Sequence, residues 1–240
     1  MFNGVKVTWL GHGTFLFTTP EGKKILVDPW LQGNPSCPEE FYDIEVDAML
    51  LTHGHNDHIG DIFTAHERCA GPIVGIFDLT TWLGQQGVSE DKLVGMNIGG
   101  RYAMEDLKVE VRMTSAVHSS SFTTDDGKIV YLGDPTGFVV TFSNGVRFYV
   151  AGDTALFGDM ALIGELEKPD VAILPIGDHF TMDPSQAAYA CKLLKVKQVI
   201  PGHYGTFPML TGEPATLTRE LEEAGVSTKV VDIEIGQTLG

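Results

Sequence analysis

The sequence predicts a mixed α/β fold (α+β by some schemes), and three kinds of signal point there. Short apolar runs alternate with longer amphipathic segments along the chain. Asn144-Gly145, between two apolar runs, is a strong two-residue hairpin signal. Asp183-Pro184 reads as an N-cap and first helical position, and Pro214 opens a later helix in the same way.

Strands are predicted at 5–10, 14–19, 24–28, 46–51, 72–76, 107–114, 129–132, 137–142, 146–151, 170–175 and 196–200. Helices are predicted near 57–68, 77–86, 158–167, 184–194 and 214–224. Val46-Asp47-Ala48-Met49-Leu50-Leu51 reads as a buried strand, and Val109-Glu110-Val111-Arg112-Met113-Thr114 alternates as a half-buried one does. The first half is strand-rich with one helical crossover, and the second half repeats that plan. The pattern is compatible with two packed sheets covered by helices, but by itself it fixes only α/β or α+β.

At 240 residues the chain fits one domain, 1–240, and a core of that size is buried without staples. Hydrophobic residues at 43% and charged residues at 20% are ordinary for a globular protein. No apolar stretch is long enough to span a bilayer and no signal-peptide pattern opens the chain, so no membrane association is expected. Three widely spaced cysteines (Cys37, Cys69, Cys191), with no C-x-x-C, indicate neither a disulfide framework nor a thiolate metal site. A cytoplasmic location is the default. Lys+Arg 16 against Asp+Glu 32 gives a formal charge of −16, a field that repels phosphate backbones. Nucleic acid is therefore disfavoured as a partner, a small-molecule substrate is expected, and a homo-oligomer stays open.

The chemistry concentrates in Thr52-His53-Gly54-His55-Asn56-Asp57-His58. Four metal-competent side chains stand in six positions on a predicted strand-to-helix turn, where open α/β sheets place their sites. Imidazole with carboxylate suits a borderline divalent ion such as zinc, and a packed core has no use for three histidines this close. A solvated His-rich loop is the competing reading. His66 has no motif around it and reads as a helix-surface residue.

The pattern H-x-H-x-D-H resembles the signature of the metallo-beta-lactamase superfamily. That resemblance implies an αββα sandwich, two mixed sheets flanked by helices, holding a two-metal hydrolase site. It implies that His53 and His55 serve one metal and that Asp57 and His58 serve the second. It also implies three further ligands in order: His118 after the strand 109–114, Asp153 as a bridging acid after 146–151 in a Gly-Asp-Thr setting, and His203 after Val199-Ile200-Pro201-Gly202. Singly, His118 could be a loop histidine, Asp153 a helix N-cap and His203 a turn residue. In this order the set is specific, and the resemblance runs from Trp9 to about His203.

Three more features narrow the branch. Thr8-Trp9-Leu10-Gly11-His12-Gly13-Thr14 is similar to the W-L-G-H-[SA]-T opening of the branch holding uncharacterised metal-dependent hydrolases, L-ascorbate-6-phosphate lactonase and N-acylphosphatidylethanolamine phospholipase D. Here Gly13 replaces the usual Ser or Ala. His12 is either a substrate or supporting residue or a turn histidine bonded to backbone. Asp28, ending Leu26-Val27-Asp28-Pro29, holds the place of an acid that supports the ligands from behind. His179, in Gly177-Asp178-His179-Phe180, follows an apolar strand and is the candidate substrate contact, with a structural pair to Asp178 as the alternative.

The departures discriminate too. The lack of a cysteine near Asp57, Asp153 or His203 disfavours antibiotic hydrolysis. His55 argues against the flavo-diiron redox branch, and the chain is too short for the inserted domain of the nucleases in the superfamily. The resemblance thus implies two divalent ions, zinc or manganese, bridged by Asp153. Two metals ~3.5–4 Å apart lower the pKa of a bridging water towards neutrality and polarise the oxygen under attack. Asp57 would orient the resulting hydroxide or take its proton, and His179 would serve the oxyanion or leaving group as a catalytic residue. A small ester, lactone or phosphoester is the expected substrate, with Arg101 or Lys128 as the available phosphate contacts. The alternatives are a phosphodiesterase or nuclease-type hydrolase, or a non-catalytic metal-binding protein that retains the site.

Overall fold

In the computed structural model, which describes residues 2–240, two seven-stranded mixed sheets face each other. The first runs in the order β16 (Thr238–Leu239), β1 (Lys6–Trp9), β2 (Phe15–Thr18), β3 (Lys24–Val27), β4 (Ala48–Leu50), β5 (Ile73–Ile76) and β6 (Leu93–Met96). It is antiparallel through β3 and parallel from β3 to β6. The second runs β15 (Lys229–Val230), β14 (Gln198–Gly202), β13 (Val171–Pro175), β12 (Arg147–Val150), β11 (Thr136–Phe142), β8 (Val109–Ser115) and β7 (Arg101–Met104). Its first four strands are parallel and the rest antiparallel. A hairpin of β9 (Ser121–Thr123) and β10 (Ile129–Tyr131) stands apart from both sheets.

The period-two alternation of strand side chains decides what fills each layer. On β12, Phe148 and Val150 enter the core between the sheets while Tyr149 points to the outer layer. On β13, Val171 and Ile173 point in and Ala172 and Leu174 out. Between the sheets Phe148 meets Phe17 at 5.1 Å and Phe2 at 5.2 Å, both edge-on. Truncating a buried phenylalanine at such a point costs about 3–5 kcal/mol, so these rings set the separation of the sheets. The outer layer of the second sheet packs residues of α4 (Met160–Leu166), α5 (Pro184–Leu194) and α6 (Pro214–Glu223).

Several elements differ from the sequence expectation. The helix expected at 57–68 is split into α1 (Asn56–Ile59), α2 (Ile62–Ala65) and a 3-10 turn at 66–68. The break has a tertiary cause: Asp61 turns its carboxylate away to accept from Leu31 N at 2.6 Å and Gly33 N at 3.0 Å. α3 (Phe77–Gln85), α4, α5 and α6 lie within a residue or two of expectation. Asp183 caps α5 by accepting from Gln186 N at 2.7 Å. The hairpin at Asn144-Gly145 forms, but only Gly145 is left-handed (φ 83) and Phe142 pairs with Val146 across a three-residue loop. β6 and β7 carried no sequence signal because they are short and half-exposed, and β15 and β16 have two residues each.

All three cysteines are free and buried. Among the described residues, no helix is long and apolar enough to cross a membrane.

Candidate metal centre

The candidate residues come together at one end of the paired sheets, where strands of both sheets terminate. His12 follows β1, Asp28 follows β3 and His53 follows β4 in the first sheet. His118 follows β8, Asp153 follows β12 and His203 follows β14 in the second. Two backbone hydrogen bonds tie the sheets here: Thr136 N donates to Thr52 O (2.9 Å), and His203 N donates to His12 O (3.0 Å); Thr136 Oγ1 also donates to Thr52 O (2.8 Å). Gly152 sits at this seam with φ 63, and a Cβ there would lie 2.7 Å from Thr136 O and 2.8 Å from Thr52 Cβ. No other residue fits that approach.

Two groups of candidate donor atoms share no residue: His53, His55 and His118 form one, and Asp57, His58 and His203, with His12, form the other; a third, Asp28 with His53 and His58, overlaps both. Between the first two lies the Asp153 carboxylate. Its Oδ2 is 2.9 Å from His203 Nε2, 3.4 Å from His58 Nε2 and 3.6 Å from His118 Nε2, and so touches both groups.

Asp28 supports the centre from behind. Buried beneath the motif, its Oδ1 accepts from Thr52 N (2.8 Å), and its Oδ2 accepts from Thr52 Oγ1 (2.6 Å) and from His58 Nδ1 (2.8 Å). With the Thr52 hydroxyl donating to Asp28, His53 Nδ1 donates to that hydroxyl across 3.0 Å. Both histidines are thereby fixed with the proton on Nδ1 and Nε2 turned inward. His55 is arranged the other way: Nε2 reaches Ser119 Oγ (3.2 Å), and Nδ1 faces His53 Nε2 at 2.9 Å.

His12 is buried and bonded through both ring nitrogens, Nδ1 to Thr206 Oγ1 (3.0 Å) and Nε2 to Asp57 Oδ2 (3.2 Å). It is therefore not the backbone-bonded turn histidine of the bland alternative. Trp30 and Phe207 wall it at ring separations of 5.1 and 5.6 Å. Gly13 lets this turn lie on the motif helix, since a Cβ there would stand 2.4 Å from His58 Cε1.

Electrostatics follow from burial and these carboxylates. Burial lowers the pKa of His53, His55 and His118, and takes His12 down to about 4. For His58 burial is outweighed by Asp153 and Asp28, which hold its pKa well above the usual imidazole range. Burial would raise Asp153, but His203 and His58 hold it well below the usual carboxylate range. Asp57 is likewise lowered, burial being overcome by the His12 hydrogen bond and by His58.

The donor set fits a divalent metal. His58 Nε2 and both ring nitrogens of His203 are buried without a hydrogen-bond partner, a state that costs about 1–3 kcal/mol per group. A cation among His58 Nε2, His203 Nε2 and the Asp153 oxygen would satisfy the two Nε2 atoms together. The candidate donors are nitrogen and oxygen throughout, a set that suits a borderline divalent ion.

His179 lies outside both groups. It is exposed in the loop after β13, edge-on to Phe180 at 4.5 Å, and no hydrogen bond joins it to Asp178 among the described residues. The loop abuts the centre through Gly177, where a Cβ would fall 2.1 Å from His203 O. Asp178 and His179 are consecutive left-handed residues (φ 65 and 49), as are singly His12 (52), Asp28 (49) and His203 (55). Non-glycine residues in this region are uncommon and mark strain held in place by their surroundings. Thr52, Ser119 and Thr206 escaped the sequence reading, since a hydroxyl that orients an imidazole has no spacing signature of its own. Of the phosphate contacts considered, Arg101 is committed to Glu110 (3.3 Å), and Lys128 stands in the turn of the β9–β10 hairpin.

Residues 23–204 match the model of the beta-lactamase superfamily domain. The chain is 48% identical over 237 residues to the UPF0173 metal-dependent hydrolase of Roseiflexus sp. (strain RS-1), covering 97% of this chain and 96% of the relative. It is 49% identical over 234 residues to that of Herpetosiphon aurantiacus, with 96% and 95% covered. Among solved structures it resembles Igni18, a metallo hydrolase from the archaeon Ignicoccus hospitalis, with a TM-score of 0.84, 38% identity and coverage of 98% and 97%. An isothiocyanate hydrolase from Delia radicum gut bacteria shares the fold at a TM-score of 0.73 and 20% identity, with 98% of each chain covered. The two facing sheets, the donor groups at their shared end and these likenesses agree: the chain is a metal-dependent hydrolase and belongs to the beta-lactamase superfamily.

Proposed function

We propose that the protein is a dinuclear hydrolase of a small ester, lactone or phosphoester. His53, His55 and His118 hold one divalent ion, Asp57, His58 and His203 hold the other, and Asp153 serves both. Zinc or manganese suits these donors. The observation that carries this reading is the single Asp153 oxygen within 2.9–3.6 Å of Nε2 atoms from both groups. Bound ions of this kind supply an activated water and polarise the oxygen that gains charge during attack.

The chain's own residues do the rest. Asp28 and Thr52 keep the protons of His58 and His53 on Nδ1, so that Nε2 is free to donate its lone pair. His12 takes up Asp57 Oδ2, which leaves the other oxygen of this half-buried carboxylate to orient water and accept its proton. His179, exposed in the loop whose Gly177 lies against His203, would protonate the leaving oxygen or bond the oxyanion. Three free cysteines with no partner thiol favour a reducing compartment, the cytoplasm.

The test combines metal analysis after reconstitution with hydrolysis assays on a phosphodiester, a lactone and a thioester. Close to two ions per chain and turnover of at least one probe are expected. Trace metal only would overturn the dinuclear reading, and full metal without turnover of any probe would favour a non-catalytic metal-binding protein.

A further inference from the structure

The fold sorts its charges by end. Lys6, Lys24, Arg147 and Lys229 open β1, β3, β12 and β15, and Lys92, Lys108, Lys168 and Lys197 stand just before β6, β8, β13 and β14. These are the ends opposite the metal centre. A cavity of about 560 Å³ lies there, lined by Lys24, Arg68 and Lys92 together with Glu45, Asp47 and Glu67. Arg101 opens the edge strand β7 at the metal-centre end, since β7 runs antiparallel to β8, and lies across from Arg112 on β8; they are held by Glu110 and Glu167. Among the described residues, the loops at the metal end offer only Lys128, in a turn beside Asp125 and Asp126. Asp178, Asp134 and Asp159 add further negative charge to the loops at that end.

What those loops do expose is apolar. Val117 precedes His118 and is 51% exposed; Phe180 follows His179 and is 52% exposed; Met209 is 45% exposed. Met209 belongs to the loop whose Thr206 bonds His12, a loop closed by the Gly205 N to Leu210 O and Leu210 N to Phe207 O hydrogen bonds. Phe207 in the same loop packs on His12 and Trp30. Three separate loops, after β8, β13 and β14, thus each present an exposed apolar side chain within a few residues of a candidate site residue. Sites that hold a phosphate or carboxylate away from the reacting atom add an arginine or lysine for it, and among the described residues the metal end supplies only Lys128, beside Asp125 and Asp126, and Arg101, already paired with Glu110.

We infer that the substrate is an uncharged ester or lactone whose acyl arm is apolar and lies against Val117, Phe180 and Met209. The inference rests on the hydrolase reading above and narrows it. In the reaction water's oxygen bonds to the acyl carbon and the bond from that carbon to the leaving oxygen breaks. The hydrogens of water are divided between the acid and the alcohol, or within one hydroxy acid when a lactone opens.

The test uses metal-reconstituted protein, p-nitrophenyl esters from acetate to hexanoate, and bis(p-nitrophenyl) phosphate, which has the same leaving group. kcat/KM should rise with acyl length by up to about fourfold per buried methylene, and the esters should outrun the phosphodiester. Phe180→Asp and Met209→Asp, each checked for a native circular dichroism spectrum, should cut the hexanoate-to-acetate ratio by roughly tenfold, the loss expected when one large apolar contact goes. Met209→Lys should move the preference towards the phosphodiester. A rate flat in acyl length, or a preferred phosphodiester, would overturn the inference and leave the hydrolase standing. Turnover of no probe at full metal content would remove the hydrolase reading and the inference with it. A dimer in solution that Phe180→Asp dissociates without changing the ester ratio would assign the apolar loops to contact between two copies, and also overturn it.

Discussion

Replacing Asp28 by Asn tests how the centre is held. Asn tolerates the left-handed backbone (φ 49) and matches aspartate in shape, so the fold is not asked to move. Oδ1 still accepts from Thr52 N, but the other position becomes an amide that donates towards Thr52 Oγ1 and His58 Nδ1, both donors in the native protein. The threonine hydroxyl can rotate to accept. The imidazole can accept only by moving its proton to Nε2, the atom the metal needs bare. One hydrogen bond to a charged group is lost, about 1.5–3 kcal/mol of stability. The larger effect is on metal affinity, since outer partners of ligating histidines are worth roughly 10–100-fold. Titration with a competing chelator should show one ion weakened by that factor and the other, on His53, His55 and His118, weakened less, because Asp28 reaches His53 only through Thr52. Wild-type affinity for both ions would refute this account of the imidazole protons. Equal collapse of both would show Asp28 to be a general structural support.

Asp153→Ala should abolish two-metal binding yet keep the fold, because β12 is held by Phe148 and Val150 in the core; an unfolded circular dichroism spectrum would show the residue to be structural. His179→Ala should lower kcat by roughly 10²–10⁴-fold with metal content unchanged, and loss of a metal would make it a ligand instead. In the metal-free protein, His12 has a folded pKa of about 4, below its unfolded value, so its contribution to stability is present above about pH 6.5 and is lost as pH falls towards 4. That loss amounts to about 3 kcal/mol, and denaturant titrations across this window should be flatter for His12→Asn than for wild type; equal slopes would contradict the buried neutral imidazole. His58 has the opposite sign, its contribution fading as pH rises above the usual imidazole range, so metal uptake near neutrality should release about one proton, measurable by calorimetry in buffers of different ionisation heat.

Much of the centre was legible in the sequence because it is built from ends of apolar strands. Val46–Leu51, 109–114, 146–151 and 196–200 are marked by hydrophobic pattern, and the residues that follow them are the candidate donors. The grouping of those donors needed the resemblance and then the coordinates, since no local pattern places Asp153 between His58 and His118. The role of His12 was undecidable from sequence. Its partners, Asp57 and Thr206, lie 45 and 194 residues away. The split helix after the motif was invisible for a similar reason, because Asp61 is drawn to backbone amides in a distant loop. Edge strands β6 and β7 were missed because they have too little buried face to write a pattern.

The seam where His203 N meets His12 O has a further consequence. The first sheet brings His12, Asp28 and the H-x-H-x-D-H turn, and the second brings His118, Asp153 and His203. Neither sheet alone owns a full set of donors, so a bound ion acts as a rivet through two layers and is gripped only when both are in register. Metal concentration would then become a dial on cohesion of the whole molecule: at a hundredfold excess over the dissociation constant, a bound ion would add about 2.7 kcal/mol against unfolding. A cell starved of metal would on this account lose the protein itself as well as its chemistry.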